Sequence, residues 1–411
     1  MSDATGPDVD LAIVGGGMVG STLALALAPL GLKVLLVEAV APDASDQPSF
    51  DERTTALANG SVRTFRTLGA WRDMERDATP IRRLHVSDQG RFGVARIDAA
   101  EQGLAALGYV VPNWAIGRAL RSALDRVSGV EIVAPARVVA SEAAGDRRSI
   151  VVETGDQQRS LTARLVVAAD GARSVLREQA GIGADRWDYE QTAIVTTAAT
   201  QRFHDHVAYE RFTHDGPIAV LPLGDGRCGI VWTKRPDEAD RVLALDDATF
   251  IGELQTAFGM RLGRFLQVGA RHSYPLALTR ADSHVASRLA IVGNAAQGLH
   301  PIAGQGFNLG MRDAASLAEV LASEPDDIGG VVPLRAYAEW RDEDRRRIVA
   351  FTDGLVRVFG SPLGLVRGLR SFGLLAFDAL PVAKDAMARL SVGAAGRVPR
   401  LARGVPLARG H

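Results

Sequence analysis

At 411 residues the chain has room for two intimately joined domains of about 150 residues or more each. Forty-seven basic against 48 acidic residues, with 47% hydrophobic and 23% charged content, exclude disorder, a collagen-like repeat and a basic nucleic-acid-binding chain as global descriptions. A lone cysteine, Cys228, excludes an internal disulfide, a thiolate metal cluster and a CxxC redox pair, and Met1–Asp10 is polar and acidic rather than signal-like, so a cytoplasmic location is expected.

Asp10–Val14 is a short apolar run ending in glycines, Met18–Leu30 an alanine- and leucine-rich stretch, and Lys33–Val37 a second apolar run. The order predicts strand, turn, helix, strand. Pro42–Phe50 reads as loop, and Thr54–Leu68 as a helix with apolar residues at Ala56, Leu57, Val62, Phe65 and Leu68. Asn113–Val127 predicts a second amphipathic helix, Glu131–Val167 an antiparallel meander, and Leu165–Ala169 a parallel strand. Between Tyr189 and Val231, β-branched and aromatic runs broken by Gly-Pro, Pro and Gly-Asp-Gly turns predict an inserted antiparallel sheet. Arg288–Val292 then predicts one more buried strand and Gly306–Leu321 a helix, so the chain leaves its first domain and returns to it. The reading is an α/β fold with a Rossmann-like domain from 8–75, 112–183 and 285–332. An interleaved antiparallel β-sheet domain takes 76–111 and 184–284, and a helical basic region 333–411. From Arg345 onward eleven Arg and one Lys face three Asp, a local charge of about +9.

Three segments carry chemistry. Gly15-Gly16-Gly17-Met18-Val19-Gly20 fits GxGxxG directly after a strand and opening a helix, and Glu38 closes the next strand. Free N–H groups and the roughly +0.5 charge equivalent at a helix N-terminus favour a pyrophosphate, and glycines let the backbone approach it. Glu38 can accept from a ribose 2′-hydroxyl and would repel a 2′-phosphate, so FAD or NAD is expected rather than NADP. Val166 to Arg177 runs a strand through Asp170-Gly171 into a second helix. Leu289 to Asp313 runs a strand into Gly293-Asn294 and then, through His300-Pro301 and Gly304, to the helix start at Gly306-Phe307-Asn308. One cofactor with two polar ends explains both glycine-rich helix starts.

These three segments resemble the fingerprints of the flavoprotein aromatic hydroxylases with the p-hydroxybenzoate hydroxylase fold. The run from Gly293 to Asp313, with Phe50 to Leu57 and Tyr209 to Pro222, is similar to the UbiH/UbiF branch, and within it to the 2-polyprenyl-6-methoxyphenol hydroxylases. That branch hydroxylates polyprenylphenol rings in ubiquinone biosynthesis. The resemblance implies a glutathione-reductase-type FAD-binding domain in which Gly15, Gly17 and Gly20, with Met18 and Val19, hold the pyrophosphate and Glu38 the adenosine ribose. Arg53 and Arg118 would reach the ribityl and phosphate region, and Asp170 the pyrophosphate. Gly293 and Asn294 would meet the ribityl chain, where the wider group usually carries Asp. The turn of Gly304, Gly306, Phe307 and Asn308 would set backbone N–H groups at the flavin's pyrimidine edge. Phe212, Thr213, Pro217, Leu221 and Pro301 are the substrate-pocket candidates, and His214 and His300 the candidates for a base that loosens the phenol proton.

The implied partners are a polyprenylphenol, O₂, and NAD(P)H or a small electron-transfer protein; a nucleic-acid partner is not expected. His204 and His206 share a strand face with no carboxylate or cysteine cluster, so metal is discarded. A second GxGxxG and a redox cysteine pair are missing, which removes the disulfide reductases, and none of the five tryptophans sits in a halogenase-like segment. Two other readings stay open: a flavin enzyme performing another isoprenoid redox reaction, and a flavin-binding structural component of a quinone-synthesis complex. Gly354–Leu380, apolar with Arg357, Arg367 and Arg370, is able to lie at the anionic inner-membrane surface, to meet a partner in such a complex, or to pack on the domain.

Overall fold

The computed structural model describes residues 6–41, 53–90, 94–298, 305–360, 388–389 and 392–408, with the helix backbone alone given at 305 and 347–360. The chain opens with β1 (Val9–Val14), α1 (Met18–Leu27) and β2 (Val34–Val37). There follow β3 (Thr54–Ala58), α2 (Asn59–Thr67), α3 (Trp71–Met74), β4 (Thr79–Ile81), β5 (Arg83–Asp88), β6 (Val94–Asp98), β7 (Gly108–Pro112) and α4 (Asn113–Leu124). The middle holds β8 (Val130–Val133), β9 (Arg137–Ala144), β10 (Arg147–Thr154), β11 (Gln157–Ala168), α5 (Val175–Gln179), β12 (Ala184–Thr200), β13 (Val207–Phe212), β14 (Pro217–Pro222) and β15 (Arg227–Lys234). The last third carries α6 (Pro236–Leu243), α7 (Asp247–Phe258), β16 (Phe265–Val268), β17 (His272–Ala281), β18 (Val285–Ala286), β19 (Leu289–Ile291), β20 (Gln297–Gly298), α8 (Gln305–Ser323) and α9 (Val331–Gly360).

An eight-stranded sheet runs β18-β19-β11-β1-β2-β8, and β11 continues into an antiparallel meander with β10 and β9. β1 sits between β2 and β11, both parallel to it, which is why Leu11–Val14 is buried and reads as an unbroken apolar run. One core fills the space between this sheet and α1, α4, α8 and α9, around Leu23, Leu27, Leu120, Leu317 and Tyr337; another lies on its opposite face against α5. The nine-stranded sheet runs β20-β17-β12-β15-β14-β13-β5-β6, with β16 on β12. Its outer face is covered by α6 and α7 through Trp232, Phe250 and Phe258. A three-stranded sheet, β3-β7-β4, packs on its inner face through Ile81, Val110 and Ala208.

Four segments differ from the sequence reading. Thr54–Ala58 is a strand, because its β-branched start pairs with β7, and the helix begins only at Asn59. Val130–Val133 lies parallel to β2 instead of joining the meander. The three-stranded sheet draws 54–58 together with 79–81 and 108–112, across the boundary placed at 75. Residues 392–408 are irregular apart from a 3-10 turn at Leu401–Arg403, since Gly393, Gly396 and Gly404 adopt positive φ and Pro399 interrupts any helix. This tail packs on the domain, since Leu401, Ala402 and Leu407 are buried and Arg397 stacks on Trp340 at 3.7 Å.

The tail is tied down by a buried ionic network. Fully buried Arg341 donates to Asp313 at 2.7 Å and to Asp344 at 2.5 Å. Arg312 donates to Asp344 at 2.6 Å and to the carbonyls of Gly393, Ala395 and Arg397. Asp313 also accepts from the Gly293 N–H at 2.8 Å and from Gln297 at 3.0 Å. Burial alone would lower the Arg341 guanidinium pKa; Asp313 and Asp344 outweigh it and hold the group above its ordinary value. Arg341→Met would leave two buried carboxylates without their shared cation, so we expect unfolding free energy to fall by about 3–5 kcal/mol. Denaturant titration of the two proteins checks this, and an unchanged midpoint would contradict it.

Candidate functional site

The carboxyl ends of β1, β11 and β19 converge on glycines. Gly15 has φ of +107°, and a Cβ there would collide with the Ala169 carbonyl; a Cβ on Gly20 would collide with the Gly15 carbonyl. Only glycine lets α1 start this close to the sheet. Gly17 is the N-cap of α1 and offers no side-chain acceptor, so the first N–H groups of the helix, those of Met18 and Val19, face outward uncapped. Glu38, at the end of β2, accepts from the Gly16 N–H at 2.5 Å and the Val40 N–H at 2.8 Å, which fixes its carboxylate at the rim of this turn.

β19 ends in a 3-10 turn, Gly293–Ala295, where Gly293 takes φ of +62°. A Cβ on Gly293 would stand 3.3 Å from Val19, and one on Gly310 would stand 3.0 Å from Val19 and 3.1 Å from the Gly293 Cα. The α1 start, the Gly293 turn and the first turns of α8 are therefore in direct contact although about 280 residues separate them in sequence. Asn294 is exposed at the turn, and Gly306 has open space about it. Asp170, next to Gly15, is mostly buried; burial raises its carboxyl pKa, and hydrogen bonds from Ser174 and nearby backbone N–H groups pull the other way. Its Oδ1 is buried with no hydrogen-bond partner.

Several expected residues are placed differently. Arg118 does not join this group: it donates to Asp77 at 2.5 Å and to the Asp73 carbonyl, lies over Trp114 at 4.9 Å, and its side chain is 41% exposed. Asn308 is buried, and its amide is spent on protein: it accepts from the Ala58 N–H and Ser61, both at 2.8 Å, and donates to the Ala56 carbonyl at 2.9 Å. The side chain clamps β3 and α2 to α8, leaving its backbone in the first helical turn as what it can offer a ligand. Arg53 lies over Tyr274 of β17 at 5.0 Å, bridging the two halves of the molecule. His300, Pro301 and Gly304 lie outside the described residues.

On the nine-stranded sheet, Phe212, Pro217 and Leu221 share the inner face, turned away from α7. Thr213 closes the hairpin turn by donating to the Gly216 carbonyl at 2.7 Å. His214 sits at the tip of that turn, 82% exposed and 3.1 Å from Asp215, which itself pairs with Lys234. A solvated imidazole at a hairpin tip is not placed as the buried base sought. His204 bonds the Leu223 carbonyl and receives the His206 N–H, a local structural role, and no cluster able to hold a metal occurs among the described residues. Gly310 and Asp313 were missed as supports of the site; their one signal was the glycine and acid in the long Gly293–Asp313 segment.

The residues present suit a long, doubly polar nucleotide cofactor: the uncapped start of α1, a glycine cradle that a Cβ would fill, and an orphaned buried acceptor at Asp170. Residues 8–352 match the family model described as FAD binding domain. The chain belongs to that family. It binds FAD and is an FAD-dependent monooxygenase. It is 40% identical over 405 residues to the ubiquinone hydroxylase UbiL of Rhodospirillum rubrum, covering 97% of this chain and 93% of the relative. It is 33% identical over 396 residues to the 3-demethoxyubiquinol 3-hydroxylase of Escherichia coli, covering 95% of this chain and all of the relative. The fold is that of the p-hydroxybenzoate hydroxylases, shared with the crystal structure of p-nitrophenol 4-monooxygenase PnpA from Pseudomonas putida at a TM-score of 0.77 and 19% identity, over 95% of this chain and 98% of that one. Gly20→Ala should push α1 off β1 and cost at least about tenfold in FAD affinity, a loss of 1.4 kcal/mol or more. Flavin absorbance per protein after desalting reads it, and full retention would refute the cradle.

Proposed function

We propose that this flavoprotein hydroxylates the ring of a polyprenylated phenol in ubiquinone biosynthesis, with O₂ as the oxygen source and NAD(P)H or a small electron-transfer protein as reductant. The observation that carries the proposal is the apolar inner face of the nine-stranded sheet, with Ala208, Leu221 and Leu84 packed toward Ile81, Val110 and Ala56 of the three-stranded sheet that joins the two halves. A surface of this kind suits an isoprenoid ring compound, since burying one isoprene unit contributes about 2–4 kcal/mol. Relatives named as ubiquinone-pathway hydroxylases support the same pathway.

When bound, FAD supplies the redox chemistry and the activation of O₂. The chain's own residues bind and orient. The starts of α1 and α8 set N–H groups and positive helix ends toward the cofactor's negative charge, Glu38 accepts from a ribose hydroxyl, and Asp170 and Asn294 face its polar middle. The sheet face keeps water from the ring that receives oxygen.

Incubation of the reduced holoprotein with a short-chain prenylphenol under ¹⁸O₂ should place one labelled oxygen on the ring by mass spectrometry. Bound flavin without label would sink the hydroxylase reading in favour of another isoprenoid redox reaction or a structural flavoprotein. In the same reading the basic segment 354–380, of which only the helix backbone up to 360 lies within the described residues, contacts the anionic membrane from which substrate is drawn or a partner in a biosynthetic complex. Among the described residues no helix is long and apolar enough to cross a membrane. Co-sedimentation with anionic but not neutral vesicles is expected, and equal recovery with both would remove the membrane contact.

A further inference from the structure

β13 alternates strictly. Tyr209 meets Phe258 and Arg211 donates to the Ala257 carbonyl, so both point outward to α7, and Glu210 between them points to the inner face. Glu210 is directly opposite Ala219 on β14 and Val86 on β5. The row on one side of it carries Ala208, Leu84 and Leu221, which pack toward Ile81, Val110 and Ala56 of the three-stranded sheet. The row on the other side carries Phe212, Pro217, Thr233, Ala193 and Tyr274, and Tyr274 lies under Arg53 of the flavin half. A carboxylate thus stands in a largely apolar wall, with Asp88 beside Phe212 in one flanking row, and the flanking rows face the three-stranded sheet and Arg53. It is only 9% exposed, and its side chain has no hydrogen-bond or ion-pair partner among the described residues.

A largely buried carboxylate that no protein group hydrogen-bonds costs stability, and such a group on the wall of a binding site is explained when a ligand brings the donor. We propose that Glu210 is the substrate-binding catalytic carboxylate, which accepts the ring hydroxyl's hydrogen bond and takes up its proton as oxygen is transferred. The inference rests on the phenol-hydroxylase reading above. The step is a proton transfer: the phenol O–H bond breaks, its electron pair stays on the ring oxygen, and a carboxyl O–H forms on Glu210, to be returned when the ring regains aromaticity. An electron-rich ring is the better oxygen acceptor, which gives the base its use.

Burial pushes the Glu210 carboxyl up to about 7, where a base for neutral-pH chemistry belongs. Among charged and titratable groups on the same face, β5 contributes Asp88 and β17 contributes His272 and Tyr274, with Arg53 opposite; β6, β12, β14 and β15 present Ala95, Ile97, Val195, Ala193, Ala219, Leu221, Val231 and Thr233 beside it. The ionised form accepts the phenol's hydrogen bond, so affinity is gained above about 7 and lost below it.

The experiment titrates the FAD-loaded protein, without reductant, with 2-methoxy-4-propylphenol and with its O-methyl ether from pH 5.5 to 8.5, following the flavin spectrum. For the wild type, the phenol should bind about tenfold tighter at pH 8 than at pH 6, and the ether equally at both. Glu210→Gln should retain FAD and bind both ligands without that slope; in turnover its kcat should fall about 10²-fold with a smaller change in KM. Glu210→Asp should restore part of the slope. A Glu210→Gln protein that keeps the slope, or a wild type that binds phenol and ether alike, overturns the proposal. The binding arm needs no turnover, so failure to hydroxylate prenylphenols would count against the function proposed above and leave the role of Glu210 to be decided by the slope.

Discussion

Everything at the cofactor end of this molecule depends on one fully buried guanidinium. Arg341 of α9 holds Asp313 and Asp344, and Asp313 in turn fixes the N–H of Gly293, the residue on which the second glycine turn bends. Through Arg312 the same network grips the carbonyls of the chain at 393–397, so a long helix, a ligand turn and an irregular tail share one charge balance. Such networks cost desolvation and are weak evidence for net stability, and here Arg341 Nη2 and Gln297 Oε1 stay buried without partners; what this one supplies is a fixed geometry, since Asp313 meets Gly293, Gln297 and Arg341 at once. The geometry so fixed is that of α8 against β19.

What the sequence made legible was what local chemistry dictates. The β1–α1–β2 unit was readable because an apolar run, glycines at a fixed spacing and an acid about 20 residues later, at the end of the next strand, must act together to hold a dinucleotide. The Gly293–Asp313 segment was readable for the same reason. Thr54–Ala58 was misread because its apolar positions fit the spacing of the helix that follows, and only pairing with the distant β7 makes it a strand. The tail beyond 392 was read as part of a helical region, whereas glycines at positive φ and Pro399 break any helix there and Arg397 stacks on Trp340. Arg118 shows the limit of carrying a role by position: its own neighbour Asp77 claims it. Glu210 was invisible for a related reason, since a charged residue in an alternating strand reads as solvent-facing until the sheet is known to be covered on both faces.

The nine-stranded sheet divides its labour by face. The outer side carries the aromatic packing that makes the sheet rigid, Trp232 against Phe250 and Tyr209 against Phe258. The inner side packs on the three-stranded sheet through Ala208 and holds Arg53 to Tyr274 as a fixed contact between the two halves.

The glycine contact between α1 and α8 acts as a ruler. Because Gly293, Gly310 and Val19 touch through bare backbone and one isopropyl group, the distance between the two helix starts cannot stretch or shrink with the ligand. On the proposed placement of the pyrophosphate at the α1 start and the flavin edge at the α8 start, a cofactor would be selected by its length as well as its charge: a mononucleotide flavin, lacking the adenylate half, would leave the α1 start unfilled.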